Sequence, residues 1–244
     1  MRIARFTFPG SEDVHQGQVE GDRIIGAGGS HRLSDVRLLP PCAPTKIVCV
    51  GRNYAAHAAE LGNKVPAEPL LFFKPPSALI GPGDAIRLPG DGEVHYEAEL
   101  AVVIKERCRD VPAGDWRDVV LGFTCFNDIS DRTAQAWETN WVRAKGFDTS
   151  APMGPWIVTA DEADEPFRVT LRLNGELRQE ASTELLLFGL GRLVETITRI
   201  MTLEPGDVIA TGTPAGVGAL SPGDLVEVEI DKIGALSNHV LGKE

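Results

Sequence analysis

The sequence has few cysteines, no long hydrophobic run and a deficit of basic residues. Its four cysteines, among 244 residues, form no C-x-x-C pair and no zinc-like spacing. No segment approaches the roughly 18–20 apolar residues that a membrane-spanning helix needs. The first residues lack the apolar core of a signal peptide. These absences argue against a zinc site, a membrane protein and a secreted protein, so we expect a cytoplasmic location.

Acidic residues outnumber basic ones. The chain has 24 Lys+Arg against 35 Asp+Glu, which gives a formal net charge of −11 at pH 7. A strongly acidic protein is a poor partner for nucleic acid or for an anionic membrane. An anionic small molecule would therefore have to be attracted by locally clustered positive side chains.

The turn signals divide the chain into two unequal parts. Residues 1–40 alternate short apolar pieces with Gly-rich breaks, which predicts a small β meander, and the Pro-rich stretch 39–44 is typical of a linker. We therefore predict a small N-terminal β domain over residues 1–43 and a catalytic domain over residues 44–244. Strand patterns dominate and helical ones are few, which indicates a mainly β protein of the α+β class.

Two local patterns in the second half are specific. Residues 169–179 read as a β-hairpin whose Asn174-Gly175 pair fits a two-residue turn. Residues 185–201 carry apolar side chains at near-helical spacing, which predicts one substantial helix packed on the sheet. We expect both elements to be structural.

Two carboxylates stand two residues apart just before an apolar run. The segment 94–100 reads Val-His-Tyr-Glu-Ala-Glu-Leu and leads into a β-branched strand. Because the side-chain period of a strand is two, we expect His95, Glu97 and Glu99 to share one face. Paired carboxylates repel each other unless a positive group lies between them, and an oxygen-only site suits Mg²⁺, Mn²⁺ or Ca²⁺. A solvated strand face is the alternative.

A third carboxylate follows a second apolar run. Asp128 ends the segment 123–128 and can supply another oxygen ligand at a strand end. A terminal aspartate is, however, more often a helix cap, and Ser130 or Asp131 can equally cap the segment that follows.

His57 and Glu60 are three residues apart in a short Ala-rich helical segment, so they share a helical face. A carboxylate beside an imidazole raises its basicity and fixes its tautomer, as a general base requires. The alternative is an exposed pair that contributes only a few tenths of a kcal/mol to helix stability.

Together these segments resemble the fumarylacetoacetate hydrolase family, particularly its small bacterial isomerases, decarboxylases and acylpyruvate hydrolases. The matching segments, in chain order, are VGRNYAAHAAE (50–60), FFKPPSALIG (72–81), HYEAEL (95–100), GFTCFNDISDRTAQ (122–135), RAKGFDTSAPMGP (143–155), NGELRQE (174–180) and LEPGDVIATGTPAGVG (203–218). The resemblance implies a rolled mixed β-sandwich with a metal at its mouth, and a homodimer.

The resemblance also assigns roles to individual residues. They are Glu97, Glu99 and Asp128 as ligands of a divalent metal (Mg²⁺ or Mn²⁺, or Ca²⁺), His57 and Glu60 as a base dyad on a lid helix, Lys145 as the active-site lysine, and Arg52, Arg132, Gln135 and Thr213 as substrate contacts. Where the animal hydrolases of the family bring a fourth carboxylate, this chain has Val50. That difference argues against fumarylacetoacetate itself as the substrate.

The implied chemistry is enolate formation from a small anionic 2-oxo acid that chelates the metal. We expect isomerisation or decarboxylation of a 2-oxo or 2-hydroxydienoate dicarboxylic acid in aromatic-acid catabolism. Acylpyruvate hydrolysis or oxaloacetate decarboxylation, with cleavage of a C–C bond, is the alternative. A remote one is a non-catalytic, metal-stabilised dimer that binds small acids.

Overall fold

The computed structural model describes residues 1–243 and is built mainly from β-strands. Its twenty strands, in chain order, are β1 (Arg2–Thr7), β2 (His15–Glu20), β3 (Arg23–Gly26), β4 (Gly29–Arg32), β5 (Arg37–Leu39), β6 (Ile47–Gly51), β7 (Leu70–Lys74), β8 (Leu79–Ile80), β9 (Ile86–Arg87), β10 (Val94–Tyr96), β11 (Ala98–Ile104), β12 (Val120–Asn127), β13 (Ser130–Asp131), β14 (Ala151–Thr159), β15 (Arg168–Leu173), β16 (Glu176–Ser182), β17 (Val208–Ala210), β18 (Gly218–Ala219), β19 (Leu225–Ile230) and β20 (Gly234–Leu241).

The helices are few and mostly short. The α-helices are α1 (Ala55–Glu60), α2 (Arg132–Gln135), α3 (Val142–Lys145) and α4 (Leu190–Ile200). Short 3-10 segments occur at Leu33–Asp35, Pro76–Ala78, Ala113–Val119 and Thr183–Leu185. The prediction of a mainly β protein with few helices is confirmed.

The strands form three sheets. The largest has twelve strands, in the order β4-β3-β2-β1-β14-β12-β11-β17-β6-β7, with β5 beside β1 and β8 beside β14. A five-stranded sheet has the order β16-β15-β19-β20-β9, and β13-β10-β18 form a small third sheet. Most pairs are antiparallel, but β6 with β17, β8 with β14 and β9 with β20 are parallel. The architecture is therefore the mixed β-sandwich that the resemblance implies.

The core lies between the two larger sheets. Strands β11, β12 and β14 contact β15, β19 and β20, and their inward side chains form one hydrophobic cluster. All seven residues of β11 are buried. A strand covered on both faces reads as a continuous apolar run rather than an alternating one, which explains the sequence of residues 100–104.

The N-terminal strands extend the large sheet. β1 pairs with β14 through Arg2 opposite Val158 and Ile3 opposite Ile157, and β2 to β4 continue outward as a meander. Phe6 and Ile24 are fully buried in a small separate cluster of this region. The division at residue 43 stays a prediction.

The hairpin prediction is confirmed. β15 and β16 pair around Asn174-Gly175, and both residues have positive φ (52° and 82°), as a two-residue primed turn requires.

The helix prediction is right in type but too long. Residues Thr183–Leu185 form a 3-10 turn in which the Ser182 side chain accepts a hydrogen bond from Glu184 N, and α4 begins only at Leu190. The helix packs against the 3-10 segment Ala113–Val119.

Asp207 anchors the junction between the Pro-rich stretch and β17. Its buried carboxylate accepts hydrogen bonds from the backbone N–H groups of Thr45, Lys46 and Glu204, and from the Thr45 hydroxyl. It also forms an ion pair with the Lys46 ammonium. Burial alone would raise the pKa of this carboxyl, but these donors lower it below its usual 3.8.

We expect Asp207→Asn to lower the free energy of unfolding at pH 7 by about 2–4 kcal/mol, since several buried donors lose a charged acceptor. Because the folded-state pKa is depressed, this stabilisation is present above pH ~4 and lost as the pH falls through the folded pKa. The difference between wild type and variant should therefore shrink at pH 3. Denaturant titrations at both pH values measure it, with exposed Asp118→Asn as control; an equal difference at both would contradict the charge argument.

Among the residues that the structure describes, no helix is long and apolar enough to span a membrane.

Candidate active site

Three buried carboxylates converge at one end of the β11–β12 ladder. One oxygen from each of Glu97, Glu99 and Asp128 lies within 4.8 Å of the others. All three residues are at most 5% exposed. Buried carboxylates at this separation repel one another strongly unless a cation lies among them. The donor set, oxygen only, is the one that Mg²⁺, Mn²⁺ and Ca²⁺ prefer.

The backbone fixes these side chains where the ladder ends. Glu99 pairs opposite Phe126 within the ladder. Beyond it, Asp128 N donates to Glu97 O at 2.9 Å, and Glu97 N donates to the Asn127 side chain at 2.9 Å. Glu97 itself lies between β10 and β11, with its N–H bonded to a side chain instead of a neighbouring strand. Glu97 and Asp128 are thereby held side by side although they are 31 positions apart in the sequence.

Lys145, in α3, reaches the same carboxylates. Its Nζ lies 2.8 Å from Glu97 Oε2 and 2.6 Å from Asp128 Oδ2, and it also donates to the Ser130 hydroxyl. Burial alone would lower the pKa of Lys145, but Asp128 and Glu97 raise it above its ordinary value. The lysine is therefore a buried, charged ammonium.

The two glutamates differ in their surroundings. Burial would raise the pKa of Glu97, but Lys145, Arg132 and His57 lower it well below its ordinary value. For Glu99, burial and then the charges of Asp128 and Glu97 raise the pKa well above its ordinary value, although Gly212 N donates to it at 2.8 Å. A bound cation would therefore reduce the electrostatic repulsion at Glu99 more than at Glu97.

Lys74 is a second buried lysine, and it does not face the pocket. Its Nζ donates to the backbone oxygens of Ile129, Lys145 and Ser150 at 2.6–3.0 Å and lies 2.8 Å from Asp128 Oδ1. Burial lowers its pKa. Lys74 supports the segments that carry Asp128 and Lys145, rather than attracting substrate from solvent.

The His57–Glu60 pair lies above the carboxylates. His57 is 4% exposed, its Nδ1 lies 3.3 Å from Glu60 Oε2, and its Nε2 lies 4.0 Å from Glu97 Oε1. Glu60 Oε1 accepts from Gly216 N at 2.9 Å, so one carboxylate joins α1 to the loop after β17. If Nδ1 carries the proton shared with Glu60, the Nε2 lone pair is directed into the site, as a general base requires.

Three of the predicted substrate contacts, Arg52, Arg132 and Gln135, line the same pocket as the carboxylates. Arg132 forms an ion pair with Glu97 and donates to Gln135 Oε1 at 2.7 Å. Arg52 lines the same pocket, has a left-handed backbone (φ 58°), and forms no ion pair within residues 1–243. It is the cation left available for an anionic group.

Thr213 lies in the loop after β17 and is 3% exposed. Its hydroxyl accepts a hydrogen bond from Gln179 Nε2 at 2.8 Å. The loop approaches closely because Gly212 has φ 100° and a Cβ there would come within 2.7 Å of Asn53 Cβ. A larger residue at Gly212 would push Thr213 out of place.

These side chains enclose a cavity of about 340 Å³. Its apolar wall is formed by Val50, Leu61, Phe72 and Trp141, and Phe72 and Trp141 contact edge to face. The structure thus brings together all ten predicted site residues. Their roles stay predictions, since contact with a ligand is a separate observation.

Two residues of the matched segments lie elsewhere. His95 does not share the face of Glu97 and Glu99: it is in β10, which belongs to the small sheet, and pairs with Glu93. The expectation of one shared face was wrong because the strand breaks at Glu97. Arg143 is exposed, pairs with Glu138 and stacks over Trp137.

Sequence reasoning missed Gln179 and Asn53, which are buried polar residues beside the site. Asn53 is fully buried, donates to the backbone oxygens of Phe188 and Thr211, and so connects the start of α1 to the Thr213 loop. Gln179 is the one buried position of β16. A polar residue at the inward position of an otherwise exposed strand was the signal available.

Comparison with known proteins is consistent with this geometry. The family model for the C-terminal part of fumarylacetoacetate (FAA) hydrolase matches residues 46–241. The chain belongs to the fumarylacetoacetate hydrolase family. The members of this family to which it is similar include named isomerases, hydrolases and tautomerases, and the chain is an enzyme of this family.

Three relatives within the fumarylacetoacetate hydrolase family carry named activities. A 5-carboxymethyl-2-hydroxymuconate delta-isomerase from Mycobacterium smegmatis is 45% identical with a TM-score of 0.91, over 100% of both chains. A maleylpyruvate hydrolase from Sphingobium, solved with manganese(II) and pyruvate, is 34% identical with a TM-score of 0.86, over 100% of both chains. An oxaloacetate tautomerase of Bacillus subtilis is 40% identical over 86% of this chain and 75% of its own.

Proposed function

We propose that the protein is a divalent-metal-dependent enzyme that moves a proton next to the carbonyl of a 2-oxo or 2-hydroxydienoate dicarboxylic acid, by way of an enolate. The observation that carries the proposal is the juxtaposition of a buried three-carboxylate cluster with His57 Nε2, 4.0 Å from Glu97 Oε1. The named isomerase and tautomerase relatives support the same class of reaction.

The residues present fit a divalent cation. Glu97, Glu99 and Asp128 offer oxygen ligands only, and burial together with the charges of Asp128 and Glu97 raises the pKa of Glu99, which forms no ion pair within residues 1–243. The manganese in the Sphingobium hydrolase supports the same assignment. A bound Mg²⁺ or Mn²⁺ would act as a Lewis acid toward the keto and carboxylate oxygens of a 2-oxo acid.

The charge balance favours a dianionic substrate. The three carboxylates are matched by Lys74, Lys145 and Arg132, which each contact at least one of them. Glu60 adds one further negative charge, so a divalent cation would leave the site with an excess of one positive charge, and the Arg52 guanidinium, which forms no ion pair within residues 1–243, raises the excess to two. A dicarboxylic acid would neutralise this excess.

Each side chain of the site then has its own role in the reaction. His57 Nε2 takes a proton from the carbon next to the carbonyl or returns it, and Glu60 holds the imidazole in the required tautomer. Lys145 and Arg132 lie where negative charge develops, and Thr213 donates to a carboxylate or oxo oxygen. Val50, Phe72 and Trp141 give the pocket an apolar wall.

A second candidate is C–C cleavage: acylpyruvate hydrolysis, or decarboxylation of oxaloacetate. The hydrogen bond between His57 and Glu60 favours it, since the same dyad can activate a water molecule. The maleylpyruvate hydrolase relative also supports it. The homodimer and the cytoplasmic location stay predictions.

Proton NMR in D₂O with Mg²⁺ distinguishes these outcomes. The panel contains a carboxymethyl-hydroxymuconate-type dienoate, oxaloacetate and an acylpyruvate, each run with and without EDTA. We expect Mg²⁺-dependent double-bond migration in the dienoate or accelerated deuterium exchange at C3 of oxaloacetate. Pyruvate plus a free acid from the acylpyruvate would instead support the second candidate. No EDTA-sensitive reaction with any compound would contradict both.

A further inference from the structure

The side-chain amide of Gln179, beside the site, is hydrogen-bonded through both its oxygen and its nitrogen. It lies in β16 and is 1% exposed. Its Oε1 accepts from Ala98 N at 3.0 Å, and its Nε2 donates to Thr213 Oγ1 and to Pro214 O, both at 2.8 Å. One acceptor and both donors of the amide are therefore engaged. These bonds fix the amide in one orientation, because a flipped amide would face N–H toward N–H at Ala98.

The bond from Gln179 sets the direction of the Thr213 hydroxyl. A hydroxyl has one proton and accepts through its lone pairs. Since Thr213 Oγ1 accepts from Gln179, its own proton is free to be donated elsewhere. Within residues 1–243 this hydroxyl donates to no protein acceptor, and Thr213 lines the pocket. The hydroxyl is thus held as a donor toward whatever oxygen the pocket receives.

The Gln179 amide also connects the Thr213 loop to the start of β11, the segment that carries Glu97 and Glu99. Ala98, whose N–H is bonded to Gln179, stands between Glu97 and Glu99. The loop also lies directly against β16, since a Cβ on Gly216 would come within 2.2 Å of Arg178 O. A shift of β16 would therefore move the hydroxyl relative to the carboxylate cluster.

We infer that Gln179 is a positioning residue that makes Thr213 an obligatory hydrogen-bond donor to a carboxylate or oxo oxygen of the substrate. The inference deepens the proposed function and rests on it. It assigns to a hairpin residue, outside the catalytic dyad and the carboxylate cluster, control over how the 2-oxo acid head group is oriented.

The decisive variant is Gln179→Glu. In this variant an oxygen replaces the amide Nε2 and has no N–H to donate to Thr213 Oγ1 or to Pro214 O; when ionised, it accepts the Thr213 hydroxyl proton, which reverses the hydrogen bond. We expect kcat/KM on the substrate identified by NMR to fall roughly 10–100-fold, mainly through KM, because the substrate oxygen loses its donor. Gln179→Met, which is neutral, gives a second measurement if the buried charge of the first variant prevents folding.

A double-mutant cycle separates positioning from general stability. Thr213→Val alone should also raise KM, and adding either Gln179 substitution to it should cause little further loss. The matched control is Asn238→Asp. Asn238 is also 1% exposed and its amide donates to two backbone oxygens, of Gly81 and Asp84, away from the pocket. We expect it to lower Tm while leaving kcat/KM unchanged.

The outcomes distinguish the two proposals. Unchanged kcat/KM in Thr213→Val would contradict the substrate contact on which the proposed function relies. A loss in Thr213→Val with either wild-type kinetics in the Gln179 variants or fully additive losses would overturn the role of Gln179 alone.

Discussion

Replacing Glu99 by glutamine should weaken divalent-cation binding while leaving the metal-free protein at least as stable as the wild type. Glu99 is 2% exposed and forms no ion pair within residues 1–243, whereas Glu97 and Asp128 each contact a lysine. Its pKa is raised by burial and by those two neighbouring carboxylates. Removing its charge therefore removes repulsion, and a glutamine oxygen can still accept from Gly212 N.

The expected loss of cation affinity is on the order of 100-fold or more, since one of three charged ligands is lost. We expect kcat/KM to fall by roughly 1000-fold, because Lewis-acid stabilisation contributes several kcal/mol. Titration calorimetry with Mg²⁺ and Mn²⁺ measures the affinity, and thermal unfolding in EDTA measures stability.

Glu97→Gln is the matched comparison. Glu97 pairs with both Lys145 and Arg132, so its neutralisation should lower the Tm of the metal-free protein as well as cation affinity. Opposite effects of the two substitutions on stability would distinguish a repelled ligand from a paired one. Wild-type cation affinity in Glu99→Gln would exclude Glu99 as a ligand.

The sequence alone predicted those features that depend on local chemistry. The Asn174-Gly175 turn requires positive φ at both residues, and few other pairs adopt it easily, so the hairpin could be placed. The spacing of Glu97 and Glu99 is likewise a local property of a strand. The local pattern offered Asp128 either as a third ligand or as a helix cap, and the family segments then favoured the ligand and supplied Lys145.

What could not be predicted depends on long-range contacts. The strand breaks at Glu97, whose N–H donates to the Asn127 side chain rather than to a neighbouring strand, and His95 lies outside the cluster. Lysine side chains are mostly exposed, yet three backbone oxygens and Asp128 surround Lys74. Whether a lysine is solvated or buried is decided by tertiary packing, which depends on residues far away in the sequence.

The His57→Gln variant should lose turnover while retaining metal. His57 is paired with Glu60 and does not belong to the group of side chains whose ligand atoms lie within 4.8 Å of one another, so we expect cation affinity within about threefold of wild type. Without the base, kcat should fall by roughly 10²–10⁴-fold. Single-turnover kinetics with saturating Mg²⁺, together with titration calorimetry, provide both readouts on one preparation.

The Glu60→Gln variant tests whether Glu60 acts through His57. A glutamine oxygen can still accept from Gly216 N, so the position of α1 should be kept while the charge beside His57 Nδ1 is lost. The amide N–H would then face Nδ1 and favour the tautomer with the proton on Nε2, so we expect a loss close to that of His57→Gln, roughly 10²–10⁴-fold in kcat, and little further loss once His57 is already replaced. If His57→Gln instead lost cation binding and turnover equally, His57 would be a ligand or a structural residue. The proton would then have to be moved by another group, and Lys145, held by Glu97 and Asp128, is the remaining candidate within reach.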